Sequence, residues 1–178
     1  MRCQLIVSRF LPVLFLLSFA SAAFSEEVDN PQYQNWAKYN VGTSVTHEAV
    51  STIGGKEVHI TTTNTLVEKL EDKCIIESAI TMGEGMPTNK MKQNVNAKID
   101  KSKLNETGEE DVEAAGKTYK CKIVEMTIAR QNPNANARVN EVKAKLWVNG
   151  DVPGGIVKME TTLHSGTMTS LLKSYEIK

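Results

Sequence analysis

The stretch Trp147-Val-Asn-Gly-Asp-Val-Pro-Gly-Gly-Ile-Val-Lys158 constrains the fold of this chain more than any other. Two strand-like runs flank a turn whose chemistry is fully specified. Pro153 presets a φ of about −65° at the second turn position, and Gly154 supplies the positive φ that a type II turn needs next. Within the turn itself only Asp151 can do acid or base chemistry, so the stretch reads as a structural signature.

The same pattern, runs of period two broken by short turns, extends along the chain. Asn30-Pro31 followed by Gln32 to Lys38 offers a cap, a proline at the first helical position and the apolar Tyr33, Trp36 and Ala37, which predicts one short helix. Alternation then starts at Val45, although Val50 and Ile53 break its phase, and Gly54-Gly55 turns the chain. Val58, Ile60 and Leu66 share one face of the next run, while His59, Thr61, Thr63 and Thr65 share the other. Glu71-Asp72-Lys73 leads into Cys74, Ile76, Ser78, Ile80 and Met82. Gly83 to Lys92 reads as loop, Gln93 to Asp100 as a strand, and Lys101 to Asp111 as an exposed polar segment. A hairpin turning at Gly116-Lys117 follows, then a turn at Asn132-Pro133-Asn134. Val142, Ala144, Leu146 and Val148 form the inward face of the next run. Ile156 to His164 and Thr167 to Ile177 complete the pattern, the last with a short helix near Leu171-Leu172 as the alternative. Eight or nine strands joined mainly by short turns make an antiparallel meander. Long antiparallel strands must twist and curl, so the expected fold is mainly β: a strongly curved antiparallel sheet, half-barrel or open barrel.

The N-terminus reads as a signal peptide over residues 1–25. Arg2 and Arg9 give a basic start, Phe10 to Phe19 is apolar, and Ala20-Ser21-Ala22-Ala23 is a small-residue cleavage region. That apolar run falls short of the roughly 20 residues needed to span a bilayer, and no later stretch approaches that length. Cys3 precedes the apolar run and so is not a lipobox cysteine. The expected address is therefore exported, periplasmic or secreted, with residues 26–178 forming one β-rich domain. Without Arg2 and Arg9 the chain carries 19 basic and 21 acidic side chains, a formal charge of −2. No basic block stands out, which disfavours nucleic acid as a partner. Cys74 and Cys121 remain. In an oxidising compartment they can bridge; alternatively they are two buried small hydrophobes on different strands.

Four motif groups occur in order: Trp36 with Val41-Gly42-Thr43-Ser44-Val45; Thr63-Asn64-Thr65-Leu66-Val67-Glu68; Gly116-Lys117-Thr118-Tyr119-Lys120-Cys121; and Trp147 with Val152-Pro153-Gly154-Gly155-Ile156-Val157-Lys158. In these the chain resembles small exported bacterial proteins of unknown function grouped near the LolA-like lipoprotein-carrier superfamily. The resemblance implies an open, strongly curved antiparallel sheet whose concave side holds acyl chains or packs on helices. This chain departs from that pattern in having no long helix to fill the concave side.

The candidate chemical groups are sparse. His47, His59 and His164 fall in separate runs, and no HxH, HxxxH, CxxC or HExxH spacing is present, so no metal or other cofactor is indicated. Gly-x-Ser-x-Gly is absent. Cys121 lies between Lys120 and Lys122, but on a strand those lysines face away from the thiol. Met82, Met86 and Met91 bracket the longest breaker-rich loop, and Met126 and Met159 sit in strands. Methionines suit adaptable apolar sites, which makes these five the candidate ligand-binding residues and the loop a candidate lid.

The leading expectation is a non-enzymatic exported binding protein that holds an apolar ligand, a lipid or acyl chain, or a lipoprotein. The alternative is an envelope or secreted interaction module whose partner is another protein. The third reading, a hydrolase, requires two or more of His47, His59, His164, Asp111 and Asp151 to converge in one cleft.

Overall fold

The structure is a computed structural model that describes residues 26–53, 56–83, 85–130, 140–163 and 166–178. The predicted signal peptide, His164 and the turns at Gly54-Gly55 and Asn132-Pro133-Asn134 lie outside the described residues. In chain order the elements are β1 (Glu27–Asp29), α1 (Pro31–Ala37), β2 (Ser44–Ile53), β3 (Lys56–Lys69), β4 (Lys73–Met82), β5 (Asn89–Asn96), β6 (Lys98–Asp100), a 3-10 turn (Lys101–Lys103), β7 (Asn105–Ala114), β8 (Lys117–Arg130), β9 (Asn140–Val148), β10 (Ile156–Leu163) and β11 (Gly166–Glu176).

Helix α1 starts as the sequence specifies. Asn30 Oδ1 accepts the Gln32 amide at 3.0 Å, and Pro31 occupies the first turn, where its missing N–H leaves nothing unpaired. The helix is too short to stand alone in water and is held by tertiary contacts. The Tyr33 hydroxyl donates to the carbonyls of Leu70 and Glu71, and Trp36 is 2% exposed.

Nine strands form one antiparallel sheet in the order β5-β4-β3-β2-β11-β10-β9-β8-β7, while β1 and β6 pair separately. Two hairpin stacks, β2 to β5 and β7 to β11, join where β2 pairs with β11. The sheet is not closed into a barrel: β5 and β7 are its edges. It is nevertheless strongly curved. Strand β7 comes within 8 Å, Cα to Cα, of β10 and β11, which lie three and four positions away. In a flat sheet those separations would be about 14 and 19 Å.

The pairing register defines two faces. One row, called the inner face, runs Met82–Ile60–Ala49–Ser170–Met159–Leu146–Val124. The row beside it, on the outer face, runs Thr81–Thr61–Glu48–Leu171–Lys158–Trp147–Ile123. On β2, β3, β4 and β11 the buried side chains are inner: Val45, His47, Ala49, Leu66, Cys74, Ile76, Ser78, Ser170 and Leu172. The shared faces expected for β3 and β4 are those observed. On β7 and the first half of β8 the buried residues are outer: Val112, Ala114, Tyr119, Cys121 and Ile123. Val124, one residue on, is buried on the inner face, so β8 has packing on both sides at its midpoint.

Three expectations need correction. Residues 89–92, read as loop, open β5; Pro87 and Asn89 suggested a breaker, but residues 89–94 are exposed on both faces and show no alternation. Residues 105–110, read as an exposed polar segment, open β7 for the same reason: a strand with no buried face carries no period-two signal. The β9 reading named one inward face, whereas Trp147 on the opposite face is also buried, at 2%. Elsewhere the strand reading of Thr167 to Ile177 holds over the helical one, and β11 is continuous from Gly166 to Glu176.

Candidate functional site

The two ends of the sheet differ in character. At one end lie α1, the turns at 70–72, 115–116 and 149–155, and the residues after β11. Here the core is filled by Trp36, Leu66, Ile76, Val152, Val157 and Leu172, with Tyr33 and Tyr175 packed against it. The signature turn is what seals this end. Gly154 has φ +72°, and the Gly155 amide donates to the Val152 carbonyl at 2.8 Å, closing the expected type II turn. Gly154 lies flat against the Trp36 indole: a Cβ there would stand 2.6 Å from Nε1. Gly155 lies closer still to the Asn35 side chain. Lys38 Nζ donates to Asn35 Oδ1 at 2.9 Å and to the Gly150 carbonyl at 3.3 Å, and the Tyr39 hydroxyl donates to the Asp151 carbonyl at 3.1 Å. The turn is therefore a socket for the helix.

Trp147 shows how the outer face is covered near β7. Its ring lies under Lys158 and Lys145, with Nζ 4.1 and 4.8 Å from the ring centre, and its Nε1–H donates to Glu110 Oε2 at 2.8 Å.

At the other end of the sheet the inner face continues beyond the filled core. Ile60, Ile80, Met126, Met159 and Met168 are half-buried there, while Met82 and Met91 are 45% and 57% exposed. The register puts all five of these methionines on one face: Met82 and Met159 in a single cross-strand row, Met126 and Met168 in the row Met126–Ala144–Thr161–Met168, and Met91 opposite Ser78. The result is an apolar, methionine-rich surface interrupted only by small or polar side chains such as Ala49, Thr161 and Ser170. Met86, the remaining candidate, is 60% exposed in the loop after β4.

Two grooves are lined mainly by outer-face side chains, and both mix charged and polar groups with apolar ones, inner-face methionines included. One, of about 720 Å³, runs between the loop after β4 and the strands beneath it, lined by Glu48, Glu57, His59, Thr61, Thr81, Met82 and Met86. The other, of about 340 Å³, lies between the turn at 102–105 and strands β8 to β10, where Met126 and Ala144 line it together with Glu125, Lys143, Lys145 and Glu160.

The ionisable candidates are scattered. His47 is buried on the inner face with Nε2 2.9 Å from the Ile156 carbonyl, and burial holds its pKa below the usual imidazole value despite that contact. His59 is exposed on the outer face, in the larger groove. Asp111 is exposed on edge strand β7, and Asp151 is exposed in the signature turn. Among the described residues no group of three or more His, Cys, Asp and Glu is placed to hold a metal ion. Cys74 on β4 and Cys121 on β8 are buried free thiols in the same core. Burial, with Asp111 and Glu110 adding to it, pushes the Cys121 thiol up to about 11. Lys120 and Lys122 point to the opposite face.

Among the described residues no helix is long and apolar enough to cross a membrane. No family model matches this chain, and no curated protein does. Among solved structures it is similar to a protein from Bacteroides fragilis NCTC 9343 that is taken to be exported and has a YmcC-like fold. The TM-score is 0.48 at 9% identity, covering 78% of this chain and 97% of the other.

Proposed function

We propose that this protein is an exported, non-enzymatic binding protein that takes an acyl chain, free or carried by a lipoprotein, on the methionine-rich half of its inner face. The observation that carries this reading is the gathering of Met82, Met91, Met126, Met159 and Met168 on one face, half-exposed, beyond a core that is already filled. Flexible thioether side chains adapt to apolar ligands of variable shape. Soluble domains rarely leave a contiguous apolar patch uncovered without a binding role. The motifs in which the sequence resembles the LolA-like superfamily support the same reading, as does the apolar N-terminal run, which suits a signal for export.

The test is binding of a fluorescent fatty acid to purified protein, with native mass spectrometry of protein recovered from a periplasm. Saturable binding with one defined stoichiometry, weakened by Met82→Glu and by Met159→Glu while the near-UV signal is retained, is the expected result. Absence of any acyl species and of saturable binding would refute it. The second reading, a protein-interaction module without a small-molecule site, rests on the filled core and on the charged side chains that both grooves carry among their apolar ones. Capture of a protein partner by delipidated material would favour it.

A further inference from the structure

The two open edges of the sheet carry opposite charge. Residues 105–111 of β7 are all exposed, and the whole strand carries Glu106, Glu109, Glu110, Asp111 and Glu113 with no basic residue. Residues 89–94 of β5 are all exposed, and that strand carries Lys90 and Lys92 with no acidic residue. Among the described residues neither strand has a partner on its outer side. An open edge presents unpaired N–H and C=O groups that another strand can complete. Pairing of β7 with β7, or β5 with β5, would set like charges against each other.

The geometry points to a second copy of this chain as the occupant, and we propose that β7 of one copy adds antiparallel to β5 of the next. Along the sheet the nine strands alternate in direction, so β5 and β7 run the same way. Antiparallel addition therefore requires the incoming copy to be turned over, so that its inner face continues the outer face of the first. Lys90 and Lys92 lie on the outer face, opposite Ala79 and Glu77. Glu109 and Asp111 lie on the inner face, opposite Lys122 and Lys120. Turning the copy over thus places these two lysines and two carboxylates on a common surface. With Lys92 opposite Glu109 and Lys90 opposite Asp111, the cross-strand row becomes Glu77–Lys92–Glu109–Lys122, alternating in sign across the junction. Opposite charges facing each other across antiparallel strands are stabilising, and like charges are not. The neighbouring ion pairs, Lys90 with Glu77 at 3.1 Å and Lys122 with Glu106 at 3.6 Å, belong to the same alternating field. Each junction uses one edge of each copy and leaves the other open, so the product is an open chain of copies rather than a closed dimer. One edge pairing of six or seven residues is a small interface, which places the association in the weak, concentration-dependent class.

The edges are separate from the methionine surface, so this association stands or falls independently of acyl binding. The test is sedimentation velocity of the delipidated protein over rising concentration at low and high salt. Average mass is expected to rise with concentration at low salt and to fall back at high salt. The variant Lys90→Glu/Lys92→Glu and the variant Glu109→Lys/Asp111→Lys are each expected to weaken association by about tenfold or more. An equimolar mixture of the two variants should restore association, because each then offers an edge complementary to the other. Tryptophan fluorescence confirms that these exposed substitutions leave the core intact. A single-chain mass at every concentration, association insensitive to the reversals, or failure of the mixture to recover would overturn the proposal. So would a wild-type protein that stays single and instead binds an extended lysine-rich peptide, which would assign the β7 edge to a different partner.

Discussion

Replacing Gly154 by alanine tests whether the signature turn is a fitted socket for α1 or merely a tight turn. At φ +72° an L-residue carries a backbone cost of about 1–2 kcal/mol. The added Cβ would also stand 2.6, 2.7 and 2.9 Å from Nε1, Cε2 and Cζ2 of Trp36. Non-bonded carbons prefer about 3.5–4.0 Å, so the indole must retreat by roughly 0.6–0.9 Å or more. Trp36 is 2% exposed and packed on all sides, and overfilling such a site costs about 1–3 kcal/mol. The two effects sum to about 2–5 kcal/mol, a large share of the ~5–15 kcal/mol typical of a domain. Gly116 supplies the control. Its φ is +73°, but an added Cβ meets nothing within 4 Å, so Gly116→Ala should cost the backbone part alone, about 1–2 kcal/mol. The assay is urea unfolding followed by tryptophan emission, since Trp36 and Trp147 are both buried and both shift on unfolding. A shift in midpoint without change in slope reports stability. Equal losses for Gly154→Ala and Gly116→Ala would refute the socket. A double-mutant cycle adds a second check: in a Trp36→Leu background the Gly154→Ala penalty should shrink toward that of Gly116→Ala.

Two further predictions concern titration. His47 is neutral and buried, with a folded-state pKa below its unfolded value of about 6.5, so the folded state disfavours the proton. Its contribution is fully present above pH ~6.5 and is lost as pH falls through that value toward the folded pKa, by at most about 1.4 kcal/mol per pH unit. His47→Gln should flatten that part of the stability profile, and an unchanged acid limb in the variant would remove the assignment. For the cysteines, a thiol held at about 11 and shielded by burial should not react with a disulfide reagent at pH 8 in the native protein. A chain beginning at Glu26 should yield two thiols on unfolding without reductant. Failure to titrate any would instead establish the Cys74–Cys121 bridge that an oxidising compartment allows.

Most of the sheet was legible in the sequence because most strands have one buried face, and burial is what imposes a period of two. The signature turn and the Asn30-Pro31 helix start were legible for a different reason: each relies on local chemistry that operates within four residues. The starts of β5 and β7 were not, since edge strands wet on both sides leave no alternation to read. Trp147 escaped assignment because its cover comes from Glu110, Lys145 and Lys158, and the curl that brings β7 over β9 is a property of the whole sheet. The methionines were visible as residues suited to an apolar site, but their common face was not. It depends on the β2–β11 pairing, which joins strands more than a hundred residues apart and leaves no periodic trace in either.

That same pairing governs the order of assembly. Strand β2 is the first of the nine-stranded sheet in chain order and β11 the last, and they meet at its centre, with Asn40 Nδ2 donating to the Lys178 carbonyl and the Lys178 amide to Thr43 Oγ1 beside them. A chain emerging from its N-terminus can build each hairpin stack as it appears, yet the two stacks have no shared strand until residues 166–176 arrive. Closure of a loop this long is slow, and it must precede the contacts that reward it. The nine-stranded sheet is therefore complete only once residues 166–176 are present, and a chain cut short before them would hold two separate hairpin stacks in place of one sheet.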